Sequence, residues 1–179
     1  MFSLFSNFDN RINTQIALWP QWLSSYMHAV SFIGLPIVTL SISAIIILWG
    51  VTHTNTRLWM AGVTAVATIG LNAIAKLTFQ RERPATGYVE EMLIQSYSFP
   101  SGHSAGSMVT YGLLAFLALH TLPGPWGVIC AVALGLLILS IGISRIYLGA
   151  HFASDVIGGW LVGAIGLAII ILFIKPALT

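Results

Sequence analysis

Long apolar runs make up most of the chain, and its twelve charged side chains fall between them. Charge is absent from 12–56, 58–75, 92–144, 146–154 and 156–174. No ten-residue alternation of apolar and polar positions marks barrel strands, and a backbone in hydrocarbon must satisfy its own polar groups, so the pattern predicts helices. A hydrocarbon core of about 30 Å takes about 20 helical residues. Dividing the runs at their Pro, Gly and polar punctuation yields five spans at 34–51, 58–80, 102–120, 126–145 and 153–174, an all-α polytopic transmembrane bundle. The break His120-Thr-Leu-Pro-Gly-Pro125 reads as a tight helix–helix turn. Segment 14–33 is charge-free yet carries Gln15, Pro20, Gln21, Ser24, Ser25 and His28. It reads as an amphipathic helix lying in the interface, with Trp19 and Trp22 as anchors, and the alternative is a weak sixth span. The expected organisation is one membrane-embedded domain over 1–179, with 1–33 as its amphipathic N-terminal segment and 34–179 as a five-helix bundle.

Composition agrees. Of the 179 residues 57% are hydrophobic and 7% charged, with a mean hydropathy of +0.91, whereas a soluble domain carries roughly a quarter of its residues as charged groups. A soluble enzyme, a disordered tail and a nucleic-acid binder are excluded, the last because it needs a dense basic face. The single cysteine, Cys130, lies in an apolar run and reads as a small buried hydrophobe. The first residues lack the basic-then-apolar order of a signal peptide.

Ionisable groups in membrane segments cost about 2.5–3.5 kcal/mol each on insertion scales, so three clusters at span ends need a reason. They are Lys76-Leu-Thr-Phe-Gln-Arg-Glu-Arg83-Pro84, Ser98-Phe-Pro100-Ser101-Gly102-His103-Ser104, and Ser144-Arg145 through His151 to Asp155. Alternating spans bring all three to one membrane face. There Lys76, Arg83 and Arg145 join His103, His151 and Asp155 in a locally positive site suited to an anion, for which a lipid phosphate is the obvious candidate. Lys76 and Arg83 are seven apart, two helical turns, and Pro84 ends the span. Ser101 suits a helix cap, with the N–H groups of Gly102 and His103 free to meet an anion. His151 and Asp155 are four apart, so the carboxylate can keep one imidazole nitrogen protonated and leave the other nucleophilic. The opposite face carries Arg57 and Lys175 and is cytoplasmic by the positive-inside tendency.

In order and spacing the clusters resemble the K-x6-R-P, P-S-G-H and S-R-x5-H-x3-D signatures of the type 2 phosphatidic acid phosphatase and haloperoxidase superfamily, with every defined position matched. The N-terminus is similar to the amphipathic segment that follows the first transmembrane helix of six-helix lipid phosphatases, a helix without a counterpart here. The resemblance implies a phosphohydrolase of the bacterial plasma membrane with no metal and no cofactor, its site facing the extracytoplasmic side. By that analogy His151 attacks phosphorus, Asp155 orients it and His103 protonates the leaving oxygen. Lys76, Arg83, Arg145, Ser101 and the Gly102 amide hold the phosphate. Implied substrates are phosphatidylglycerol phosphate, phosphatidic acid and undecaprenyl diphosphate. Relatives specialised for the polyprenyl diphosphate often carry Asp where Gly102 stands, which leans toward glycerophospholipids.

Blander readings attach to the remaining polar residues. Arg57 and Arg81 read as snorkelling cations, Glu82, Glu90 and Glu91 as a solvated loop, and 85–99 as a rim that admits a headgroup. His28, His53 and His120 read as interfacial groups, Tyr147 as an interface anchor, and Gly158, Gly159, Gly163 and Gly166 as close-packing positions. A phosphotransferase passing phosphate to another lipid's hydroxyl shares all these features, and a non-catalytic transporter or scaffold is the third class.

Overall fold

A computed structural model describes residues 2–91 and 96–174. Among these, all regular structure is helical. Two short 3-10 turns, Phe2–Phe5 and Gln21–Leu23, accompany eight α-helices: α1 Ser6–Ala17, α2 Ser24–Ile33, α3 Pro36–Thr52, α4 Thr56–Phe79, α5 Gly87–Glu90, α6 Gly102–Thr121, α7 Trp126–Tyr147 and α8 Ala153–Ile174. Lys175, used above to orient the chain, lies outside the described residues.

Local chemistry sets the boundaries. Pro36, which has no N–H to lose, opens α3. The Asn55 side chain accepts the Leu58 N–H at 3.1 Å to cap α4, and α4 ends where Gln80 turns left-handed at φ 48°. Ser101 caps α6 by accepting from the Ser104 N–H at 3.4 Å. The turn after α7 reverses through Gly149 at φ 70°, a conformation that glycine takes without steric penalty.

Three helices, α4, α7 and α8, are long and apolar enough to cross a membrane, and the 21–33 and 36–52 pair, bent by 41°, adds a fourth as a broken span. The expected fifth, α6, is not among them by composition, and its position explains why. It is the central helix, packed against α3, α4, α7 and α8, so Ser104, Ser107 and Thr110 are buried against protein and need not be apolar. Segment 14–33 is likewise not the single interfacial helix expected. Pro20, extended at ψ 140°, separates α1 from the turn that starts α2, and Gly34 and Pro36 then break α2 from α3. Trp19 and Trp22 are both exposed, as anchors would be.

The core lies between helices. Ile46, Ala65, Ile69, Val109, Leu113 and Ile170 join α3, α4, α6 and α8, while Val30, Tyr111, Ile138 and Ile141 join α2, α6 and α7. The glycines of α8 permit the close approach expected of them. A Cβ at Gly159 would stand 2.8 Å from Ser104 Cβ and one at Gly163 2.6 Å from the Ala105 carbonyl. Outward-facing apolar side chains are bare, as on a lipid-facing wall: Leu161, Ile165 and Leu172 are 61–75% exposed. This packing holds the end of α4 and the starts of α6 and α8 at one end of the bundle.

Candidate active site

Three backbone joints bring the sequence clusters together. The Ser101 N–H donates to the Asp155 carbonyl at 2.9 Å, joining the starts of α6 and α8. Lys76, on the last turn of α4, sends its Nζ to the carbonyls of Tyr97 at 2.7 Å and Ser98 at 3.2 Å. Arg83 donates from Nη1 to the Ala150 carbonyl at 2.9 Å and from Nε to the Ser96 carbonyl at 2.7 Å. Each cation thus ties the segment leading into α6, or the turn before α8, to the end of α4.

His151 is 1% exposed, in the turn between α7 and α8. Its Nδ1 faces Asp155 Oδ2 at 3.4 Å, and its Nε2 lies 3.3 Å from Arg83 Nη1. A guanidinium has donors only, so Nε2 is the unprotonated nitrogen and the proton sits on Nδ1, whose 3.4 Å separation from Asp155 Oδ2 is a charge contact without hydrogen-bond geometry. Asp155 divides its oxygens: Oδ2 also accepts the Phe152 N–H at 2.9 Å, and Oδ1 accepts from Arg81 at 2.6 Å. Burial first, then the charges of Arg83, Arg145 and Lys76, hold His151 well below the usual histidine range. It is therefore neutral at physiological pH.

Arg145, 2% exposed, bonds to Ser31 Oγ on α2 and to the Tyr88 hydroxyl at 3.2 Å, with the Tyr88 ring 5.5 Å from its guanidinium carbon. His103, the second residue of α6, lies within electrostatic reach of His151, Arg145, Arg83 and Lys76, and its Nε2 is shielded from solvent without a partner. The Gly102 and His103 N–H groups open α6 and have no carbonyl one turn back within the helix. A Cβ at Gly102 would meet only ordinary contacts, Asn72 Nδ2 at 3.9 Å and Lys76 Cε at 4.0 Å. The glycine therefore leaves room beside Lys76 and does not relieve a clash.

A cavity of about 900 Å³ opens beside Lys76 and Arg83, with Ala73, Leu77, Pro84 and Val89 as an apolar wall and Glu82 and Glu90 on its polar side. Ala85, Val89, Glu90, Ser96 and Tyr97 from 85–99 line it, and Glu82 and Glu90 border the cavity as well as solvent.

Two readings of the sequence are corrected. Lys76 and Arg83 do not share a helix, because α4 ends at Phe79 where Gln80 turns left-handed and Arg83 lies in the segment after it. Arg81 does not snorkel: its side chain is 9% exposed and bridges Asp9 and Asp155, each at 2.6 Å. It sits in a charge cluster that lipid-facing logic does not anticipate. Also unforeseen are Asp9, Asn13, Ser31 and Tyr88. The available signal is the four-residue spacing of Asp9 and Asn13 in a segment otherwise short of charge.

Apolar helices of membrane-spanning length, carrying cations, imidazoles and a carboxylate at one end of the bundle, define an integral membrane enzyme built to handle a phosphate ester. The chain belongs to the PAP2 superfamily, whose family model matches residues 56–178, and is accordingly a lipid phosphatase, a phosphoric ester hydrolase. It is 30% identical over 148 residues, 79% of this chain and 70% of the relative, to phosphatidylglycerophosphatase B of Bacillus subtilis. It is 33% identical over 121 residues, 66% of this chain and 58% of the relative, to the undecaprenyl-diphosphatase BcrC of the same organism. Its fold is similar to the crystal structure of a PAP2-type phosphatidylglycerolphosphate phosphatase from Bacillus subtilis, with a TM-score of 0.78 and 26% identity over 97% of this chain and 87% of that one. Aquifex aeolicus LpxE shares the fold at a TM-score of 0.67 and 21% identity, over 90% of this chain and 93% of that one.

Proposed function

We propose that the protein hydrolyses a lipid phosphomonoester or diphosphate through a phosphohistidine on His151, with the glycerophospholipid monoester phosphatidylglycerol phosphate as first candidate and phosphatidic acid and undecaprenyl diphosphate as the others. The observation that carries this reading is the placement of His151. Its lone pair on Nε2 faces Arg83 at 3.3 Å, its Nδ1 faces Asp155 at 3.4 Å, and a cavity lined by apolar side chains together with Lys76, Arg83, Glu82 and Glu90 opens beside Arg83. A lipid phosphate entering from that cavity meets Lys76 and Arg83, and draws Arg83 off Nε2. Nε2 then attacks phosphorus in line, and the bond to the lipid oxygen breaks as His103, which takes up a proton when the bound phosphate anion offsets the cations around it, delivers that proton to the oxygen. Asp155 stabilises the imidazolium that forms. Water, activated by His103 returning as base, cleaves the phosphorus–nitrogen bond, giving inorganic phosphate and the free imidazole. Lys76, Arg83, Arg145, Ser101 and the Gly102 amide hold the non-bridging oxygens, the electrostatic part on which phosphoryl transfer chiefly depends.

The 30% identity to a phosphatidylglycerophosphatase, over most of this chain, supports the glycerophospholipid class. In this reading α6 also crosses the bilayer at the bundle centre, making five spans. The site faces the extracytoplasmic side of a bacterial plasma membrane, and no metal takes part. The test is phosphate release from the three candidate lipids in detergent, with and without EDTA. Release from phosphatidylglycerol phosphate at the highest kcat/KM, unchanged by EDTA, is expected. Preference for the polyprenyl diphosphate, label recovered on a lipid acceptor, or a strict metal requirement would each overturn the corresponding element.

A further inference from the structure

The turn that carries His151 is held from behind by α1. Asp9 and Asn13, one helical turn apart, both face it. Asp9, 1% exposed, accepts the Ser154 N–H on Oδ1 at 2.8 Å, and on Oδ2 it accepts Ser154 Oγ at 2.8 Å and Arg81 Nη2 at 2.6 Å. Asn13 donates to the His151 carbonyl at 3.1 Å and accepts the Ala153 N–H at 3.1 Å. Ala153 and Ser154 begin α8, so α1 supplies acceptors that the helix itself lacks at its start. Arg81 completes the cluster through Nη1, at 2.6 Å from Asp155 Oδ1 and 2.7 Å from Ser154 Oγ. Its guanidinium carbon lies 4.5 Å from the Phe2 ring centroid and 4.2 Å from that of Phe152.

Arg81 alone on Asp155 would cancel the carboxylate that His151 needs. A second carboxylate on the same guanidinium leaves the trio Asp9, Arg81 and Asp155 with one net negative charge. We propose that Asp9, Asn13 and Arg81 are positioning residues: α1 latches the His151 turn in attacking geometry, and Asp9 shares the Arg81 charge so that Asp155 stays an effective partner for the imidazole. This rests on the reading of His151 as the nucleophile. The groups in contact with His151 are Asp155 from α8 and Arg83 from the segment after α4, and Lys76 from α4, Arg145 from α7 and His103 from α6 lie within electrostatic reach of it. Asp9 and Arg81 act one layer behind them.

A purely structural latch and this charge-sharing latch differ in sign. Neutralising Asp9 makes the trio neutral and disfavours a protonated His151, moving the acid limb of kcat/KM to lower pH. Neutralising Arg81 leaves two negative charges and moves the limb to higher pH. The experiment uses the full chain in detergent with phosphatidic acid micelles at constant composition, so that substrate ionisation is common to every variant. Asp9→Asn and Arg81→Gln are expected to lower kcat about 10- to 100-fold with little change in KM, and to shift the limb in opposite directions by roughly half a unit to one unit. Asn13→Ala and Arg81→Lys are expected to lower kcat without moving the limb.

Limbs that stay put in both charge variants, or move the same way, overturn the proposal. If one charge variant does not elute as a folded, monodisperse protein on size exclusion, the sign of the limb shift in the other decides the charge sharing, and wild-type kcat in both Asn13→Ala and Arg81→Lys overturns the latch. Collapse of all four variants overturns it in favour of a structural cluster. An active His151→Ala, or a silent wild-type chain, instead defeats the underlying nucleophile assignment and is recognisable as such before any limb is compared.

Discussion

At the scale of single residues, chemistry is set by the partner each ring nitrogen has. His151 has a carboxylate on one side and a guanidinium on the other, and burial among cations keeps it neutral. That neutrality has a thermodynamic consequence. The unfolded imidazole takes a proton near pH 6.5 and the folded one resists it, so the group's stabilising contribution is complete above 6.5 and lost as pH falls below it. The unfolding midpoint of the wild-type chain in detergent should therefore drop more between pH 7 and pH 5 than that of His151→Gln; parallel curves would contradict a neutral buried His151. His103 is assigned the proton delivered to the leaving oxygen, so His103→Ala should lose about 100-fold or more on a lipid alkoxide leaving group and far less on an activated aryl phosphate. Equal losses on both would remove it from that role. The candidate residues Lys76, Arg83, Ser101, Gly102, His103, Arg145, His151 and Asp155 were legible because functional groups in apolar sequence stand out against the cost of placing them there. Arg81 was misread for the same reason: its partners Asp9 and Asp155 lie 72 and 74 residues away, and sequence gives no measure of that proximity.

At the scale of elements, hydrophobic run length located the helices within a few residues, since α4, α7 and α8 coincide closely with the expected spans. It failed where helices meet protein instead of lipid. α6 is the most enclosed helix and for that reason less apolar than its neighbours, and α1 to α3 are divided by Pro20, Gly34 and Pro36 into pieces whose docking no periodicity reveals. The contact between α6 and α8 is the joint that fixes the start of both helices, and it depends on small residues. Gly163→Leu puts a side chain where the Ala105 carbonyl and Met108 already stand. Overpacking of this kind costs typically about 1–3 kcal/mol, so the variant should melt at lower temperature in detergent and lose activity although no site residue is altered. A variant with wild-type melting and turnover would show that the two helices are not held this tightly. Gly135, on α7, has nothing within 4 Å of a built Cβ, and Gly135→Ala serves as the tolerant control.

At the scale of the whole molecule, a membrane of about 30 Å explains the arrangement better than any one interaction. Successive helices deliver the end of α4, the start of α6 and the turn between α7 and α8 to one end of the bundle, where backbone joints such as Ser101 to Asp155 lock them together. The apolar exterior suits this end to the lipid boundary, and the cavity beside Lys76 and Arg83 offers a lipid substrate apolar side chains and these two cations in one lining. The central claim is that phosphate passes covalently through His151. Rapid acid-free quenching of the chain turning over phosphatidylglycerol phosphate labelled in the terminal phosphate, followed by peptide mapping, measures it directly. The account predicts acid-labile, alkali-stable label on the peptide bearing His151, absent from His151→Ala. Label on a serine or aspartate, or steady turnover by His151→Ala, would contradict it.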